Sequence, residues 1–226
     1  MSDRDFFREV DEAVRQDRYK RLWDRYAVHA LVGAVLIVVA VGGYNGWSYW
    51  QERQAREAGT AFSEAQTAAG NGDAAKAKET FTRLAEEAPK GYRALARLQL
   101  AAVEAQSGEA DKAVATYDAV AKDGSVDPIL QDNAAIQAAT LKLDTADYAE
   151  MNQRLRGLAE GSSPWRYSAR ELLGLSAYRA NNMVEAEKQF SALIGDQGTP
   201  QNLRERADMM VGLIVGTPQA LSTTAK

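Results

Sequence analysis

The sequence predicts an all-α protein: a single N-terminal transmembrane helix, then an α-solenoid of about four degenerate helix pairs closed by a capping helix. Three observations carry this. Residues 27–47 form one long apolar run. A triplet of core-type residues at helical spacing recurs four times at intervals of 36, 38 and 35 residues. Turn and breaker residues fall between and after these triplets in the same phase.

The apolar run is AVHALVGAVLIVVAVGGYNGW, 21 residues from Ala27 to Trp47, with no charge and, from Ala27 to Val41, His29 as its one polar side chain. At 1.5 Å per residue it spans about 31 Å, the thickness of a hydrocarbon core. Trp23 and Tyr26 precede it, and Tyr44, Trp47, Tyr49 and Trp50 mark its far end. Amphipathic rings at both ends suit a spanning helix. Arg15, Arg18, Lys20, Arg21 and Arg25 lie before it, and only Arg53 and Arg56 closely after it. That asymmetry keeps residues 1–26 cytoplasmic and puts 48–226 outside. A cleaved signal peptide ending near Ala40-Val41-Gly42 is the competing reading. The long leader and the bulky aromatics that follow argue against it.

Before the span, residues 2–25 mix charges of both signs. Phe6, Val10, Val14 and Leu22 recur at near-helical intervals, so the leader reads as a solvated tail feeding the span or as a short amphipathic helix docked on headgroups or a partner. Within the span, Ala30/Ala34 and Gly42/Gly46 are small pairs four apart, a weak pointer to lateral association. His29 sits about one turn inside the boundary, where snorkelling to the interface fits better than proton relay.

Composition narrows the function. Residues 1–50 hold seven cations and seven anions, so the whole net charge of −4 belongs to residues 51–226. An acidic outer domain lacks the basic footprint of a nucleic-acid binder. Mean hydropathy is −0.40, that of a soluble chain outside the span. With no cysteine there are no disulfides and no thiolate chemistry; with one histidine, in the span, there is no histidine base or zinc site in the soluble part. The expectation is a protein that is not an enzyme, with no cofactor, no metal and no small-molecule substrate.

After the span the chain repeats. The triplets are Ala77, Phe81, Leu84; Ala113, Tyr117, Val120; Met151, Leu155, Leu158; and Ala186, Phe190, Leu193. Each has spacing i, i+4, i+7, one face of a helix. Twelve residues before each stands Ala65, Ala101, Ala139 or Gly174, small enough for a first helix to cross the second closely. Turns separate the two helices at Gly70-Asn71-Gly72-Asp73, Ser107-Gly108-Glu109, Asp144-Thr145 and Asn181-Asn182. Breakers follow each second helix: Pro89; Gly124 with Pro128; Gly161 with Pro164; Gly195 and Gly198 with Pro200. Leu203 to Val215 reads as a cap over the last apolar face, and 216–226 as a flexible tail.

This spacing resembles the tetratricopeptide repeat. Ala65, Ala77, Phe81, Leu84 and Pro89 match best; Gly174, Ala186 and Phe190 match in the fourth unit. The repeats are degenerate: the first-helix Trp and Tyr of the family are missing, and Met151 replaces a small residue. Over residues 1 to about 215 the layout resembles YfgM-like proteins, ancillary subunits of the SecYEG translocon, most specifically at Ser163 to Phe190. The resemblance implies an inner-membrane protein with a periplasmic interaction domain. Its implied partners are translocon subunits, periplasmic chaperones and secreted polypeptides. A scaffold for another envelope complex, in assembly or division, is the alternative.

By analogy with the repeat, a peptide-binding groove falls 3 before, 1 after and 4 after each small residue. Those positions are Phe62, Gln66, Ala69; Leu98, Ala102, Ala105; Ile136, Thr140, Leu143; and Glu171, Leu175, Tyr178. The list is apolar, which suits an open groove for extended or helical peptides. Tight coiling or the cap can equally bury Leu98, Ile136, Leu143 and Leu175 as core. Glu86 and Glu87 point about 100° apart on a helix and read as a solvated face. Trp165 with Arg166 and Arg170 is either an anion or stacking site or the packed lead-in to a helix. Gly70-Asn71-Gly72 lacks the Lys and Ser/Thr of a phosphate loop.

Overall fold

The computed structural model describes residues 3–216. Side chains are described for Arg25, for 31–33 and from 35 onward. The stripe Phe6, Val10, Val14, Leu22, the residues Trp23, Tyr26, His29, Ala30 and Ala34, and the tail 217–226 lie outside the described residues or side chains. All secondary structure among the described residues is helical: α1 (Asp3–Gly70), α2 (Ala74–Glu87), α3 (Lys90–Gln106), α4 (Ala110–Ala121), α5 (Pro128–Lys142), α6 (Tyr148–Glu160), α7 (Arg166–Arg179), α8 (Met183–Gly195) and α9 (Gln201–Val215). The chain divides into two compact units, Met1–Gln54 and Ala55–Lys226.

In the first unit, α1 is long and apolar enough within Leu31–Gly70 to cross a membrane. Leu31, Val32, Val35, Leu36, Ile37, Val38, Val39 and Val41 all stand exposed. Each aliphatic side chain gains about 1.5–3 kcal/mol on leaving water, so covering this row with apolar surface would be favourable. Tyr44, Trp47, Tyr49 and Trp50 are exposed too, with Trp47 and Trp50 in tilted contact at 5.4 Å.

The second unit builds its helix pairs from local signals. Asp73, Asp147 and Asn182 cap α2, α6 and α8, each side chain accepting the N–H three residues on, at 3.1, 2.8 and 3.3 Å. Such caps satisfy N–H groups that a helix start leaves unpaired. Gly72, Gly108 and Asn181 take φ of 85°, 81° and 59° at three of the four within-pair turns. That left-handed turn is open to glycine and tolerated by asparagine, which is why those residues stand there. The third turn has no such residue. It closes by Ala146 N–H donating to Lys142 O at 2.8 Å, and the Arg179 guanidinium donates to the carbonyls of Asp144 and Ala146. Pro89, Pro128 and Pro200 stand at the starts of α3, α5 and α9, where a missing N–H costs nothing.

The core is a row of four clusters. Each second helix (α2, α4, α6, α8) is sandwiched between the first helix of its own pair and that of the next. Ala77, Phe81 and Leu84 pack with Ala65, Ala96 and Val103; Val114, Tyr117 and Val120 with Ala94, Ala101, Ala134 and Ala138. Met151 and Leu155 pack with Ile136, Ala139, Ala169 and Leu173; Ala186, Phe190 and Leu193 with Tyr167, Ala177, Leu203, Ala207 and Ile214. One detail differs from the sequence pattern. In α6 the buried third member is Ala159, while Leu158 is half-buried at the cluster's edge. Steps of seven and eight residues both return to one helical face, and the bulky Met151 takes the position that is alanine in the other second helices. At Gly174 the close crossing is plain: an added Cβ would stand 2.8 Å from Cζ of Phe190.

Candidate functional site: the layer of first helices

The first helices pack directly on one another, α3 on α5, α5 on α7 and α7 on α9. In a stack of helix pairs, the helices that approach each other line the inside of the curve. The predicted groove positions lie on this layer, with Leu143 as the C-cap of α5, or on the Ala55–Gly70 part of α1.

Their burial is uneven. Phe62 stands edge-on to Phe81 at 5.4 Å and tilted to Tyr92 at 6.0 Å, half-buried against the first cluster together with Ala69. Leu98 packs against the second cluster, and Ala102 and Ala105 are half-buried. Ile136 is only 5% exposed and is a member of the third cluster, on which Leu143 also packs. Leu175 and Tyr178 pack against the fourth. Gln66 and Thr140 are exposed, and Thr140 Oγ1 donates to Ile136 O at 2.8 Å. Leu95 of α3, outside the predicted set, is exposed. The layer therefore offers polar amides and hydroxyls above a half-buried apolar floor.

Its far end is held by charge. Arg206 of α9 donates twice to Glu171 of α7, at 2.6 and 3.0 Å, the bidentate geometry that fixes both planes. Glu171 is a predicted groove residue, and α9 occupies its carboxylate. Arg206 was not singled out in the sequence, although its 35-residue offset from Glu171 is the repeat length.

Similar ties cross the other repeats. Arg154 of α6 grips both carboxylate oxygens of Asp118 on α4, at 2.8 and 3.0 Å, and reaches Glu150 at 3.1 Å. Lys142, 3.2 Å from Glu150, and Arg154 hold the Glu150 carboxyl below its ordinary value. Asp123, after α4, accepts the Ser125 hydroxyl at 2.7 Å, Arg97 at 2.7 Å and the Ser125 N–H at 3.0 Å. These donors hold its pKa at about 2. Lys78 of α2 pairs with Glu109 at the start of α4. Glu104 of α3 is 1% exposed, accepts from Thr116 Oγ1 at 2.8 Å, and lies 3.1 Å from the exposed ammonium of Lys112. Its place in the apolar run AAVEAQ was the one sequence signal that it is buried.

The Trp165 alternatives resolve toward packing. Its ring lies against the third cluster and Nε1 donates to Ile129 O at 3.1 Å. Arg170 Nε donates to Ala159 O at 3.1 Å, and Arg166 and Arg170 both stand 3.7 Å from Asp196. The Gly198 N–H first, then these two cations, hold the Asp196 carboxyl low. Between α6 and α8 lies a cleft of about 400 Å³, floored by Arg170 and Leu173 of α7. Its α6 and α8 charges pair along their own helices, Arg156 with Glu160 at 2.9 Å and Lys188 with Glu185 at 3.1 Å.

Comparison with known proteins gives one positive result. The family model described as a tetratricopeptide repeat-like domain matches residues 20–209. No curated protein matches the chain, and no solved structure does.

Proposed function

Because the chain belongs to the tetratricopeptide repeat-like domain family, we propose that it is a membrane-anchored protein-interaction module whose partners bind along the layer of first helices. In this reading residues 1–26 form a cytoplasmic leader, 27–47 span the bacterial inner membrane, 48–215 form a periplasmic domain and 216–226 a tail. The observation that carries the anchor is the row of exposed aliphatic side chains from Leu31 to Val41, a surface water does not tolerate on a lone helix. The cation excess before the span supports the orientation.

The layer of first helices supports the binding role. Gln66 and Thr140 present hydrogen-bonding groups, and Leu98, Leu143, Leu175 and Tyr178 supply a partly open apolar floor. An extended chain needs both: backbone amides seek polar partners while its apolar side chains seek shallow pockets. Phe62, Ala102 and Glu171 complete the proposed surface, and Ile136 serves as its buried support. The residues do not converge on the geometry of a catalytic centre, and the family is generally a non-catalytic scaffold.

The layout shared with YfgM-like proteins leads us to place the module beside the Sec translocon, handing secreted polypeptides to periplasmic chaperones. The test is purification of the full chain from gently solubilised membranes after brief crosslinking. Recovery of a translocon subunit, together with a periplasmic chaperone or a secretory precursor, is the expected result. Recovery of a single unrelated envelope complex would overturn this placement and leave the interaction module standing.

A further inference from the structure

Helix α9 stands in the position of a first helix, and among the described residues no second helix packs on its outer face. In α3, α5 and α7, Leu100, Ala138 and Leu173 face the preceding second helix, and the very next residue is the buried small one, Ala101, Ala139 or Gly174. In α9 the facing residue is Ala207, buried against α8, and the next residue is Asp208. Glu205, Asp208, Gly212 and Val215 thus occupy the row in which a fifth second helix would lie, with Met209 and Leu213 beside them.

This face is exposed, apolar and acid-rimmed. Met209 is 62%, Leu213 57% and Val215 54% exposed. The two arginines of α9 are engaged within the fold, Arg206 by Glu171 and Arg204 by the carbonyls of Asp196, Gln197 and Thr199 at 3.1–3.2 Å. The two carboxylates face outward. Glu205 accepts only from Gln201 at 2.8 Å, and Asp208 has no ion pair among the described residues. A Cβ on Gly212 would meet nothing within 4 Å. A glycine inside a helix costs about 1 kcal/mol relative to alanine, and no packing among the described residues requires one there.

We propose that this face seats a basic amphipathic helix from a partner protein, lying on α9 where the next repeat's second helix would be. Its apolar stripe covers Met209, Leu213 and Val215, one side chain enters the notch at Gly212, and its lysines or arginines meet Glu205 and Asp208. The face continues the stacking interface of the preceding units, and the carboxylates set the charge of what can stack. The proposal does not depend on partners binding along the inner surface of the first helices.

The test uses the full chain in detergent micelles with methyl-labelled methionine and a short helical peptide of leucine, alanine and lysine. The Met209 methyl signal is expected to shift saturably while that of buried Met151 stays fixed. Glu205→Lys with Asp208→Lys should weaken binding about tenfold. Gly212→Leu, which has room within the fold, should abolish the shift with Met151 unmoved. A glutamate-for-lysine peptide that shifts Met209 equally would overturn the charge assignment. An unmoved Met209 would overturn the site. A Met209 shift on raising the protein concentration alone would reassign the face to a second copy of this chain.

Discussion

Two glycines show how differently one residue type is used. At Gly174 a methyl group would press on the Phe190 ring, at 2.8 Å from Cζ and 3.0 Å from both Cε atoms. Overpacking of this kind costs about 1–3 kcal/mol, against about 1 kcal/mol recovered from better helix propensity. Gly174→Ala should therefore lower the denaturant midpoint, and Gly212→Ala, in open space, should raise it. Glu104 gives a second contrast. Lys112→Ala leaves a buried carboxylate with Thr116 as its remaining partner, whereas Glu104→Gln keeps a neutral acceptor there. An uncompensated buried charge is the costlier state, so Lys112→Ala should lower the melting temperature more than Glu104→Gln. Asp123 sets an acid limit. Its folded pKa, about 2, lies below the unfolded value near 3.8, so its contribution is complete above about pH 4 and is lost as pH falls through about 2. Asp123→Asn should flatten the loss of stability over that window, measured as melting temperature against pH. Glu104 and Asp123 were not singled out in the sequence: Thr116 and Lys112 for Glu104, and Arg97 for Asp123, lie a helix away, and spacing does not name them.

At the scale of elements, the second helices α2, α6 and α8 start on side-chain caps, as the first helix α5 does at Asp127, while α3, α4, α7 and α9 start without one. Asp147→Ala or Asn182→Ala removes one cap and should cost about 1 kcal/mol in denaturant unfolding. The helix pairs were legible because their signals are local: a triplet on one face, a small crossing residue, a left-handed turn, a proline at the next start. Gly174 against Phe190 and the buried Phe81, Tyr117 and Leu155 follow from that pattern. The openness of the groove was not legible. Burial of Ile136 depends on how closely α5 and α7 approach, a matter of curvature set by all the pairs together. The sequence left Leu98, Ile136, Leu143 and Leu175 between groove and core; in the structure they lean on the clusters to different depths. The capping helix was foreseen at 203–215 and spans Gln201–Val215, but its acidic outer row was not, since Asp208 acquires meaning only once Ala207 is seen to face α8.

Across the whole molecule, an apolar helix precedes a domain that carries the net negative charge. If 48–226 lie outside, added protease should digest the domain in spheroplasts and leave it intact in whole cells. The central claim is that partners bind on the layer of first helices, and site-specific photo-crosslinking in living cells tests it most directly. Probes belong at Gln66 and Thr140, exposed on that layer, with exposed Lys76 on α2 as the control. Discrete protein adducts are expected from Gln66 and Thr140, and none from Lys76. Silence at both layer positions, or equal adducts at Lys76, would contradict the claim and move the binding surface to the second helices, the span or the leader.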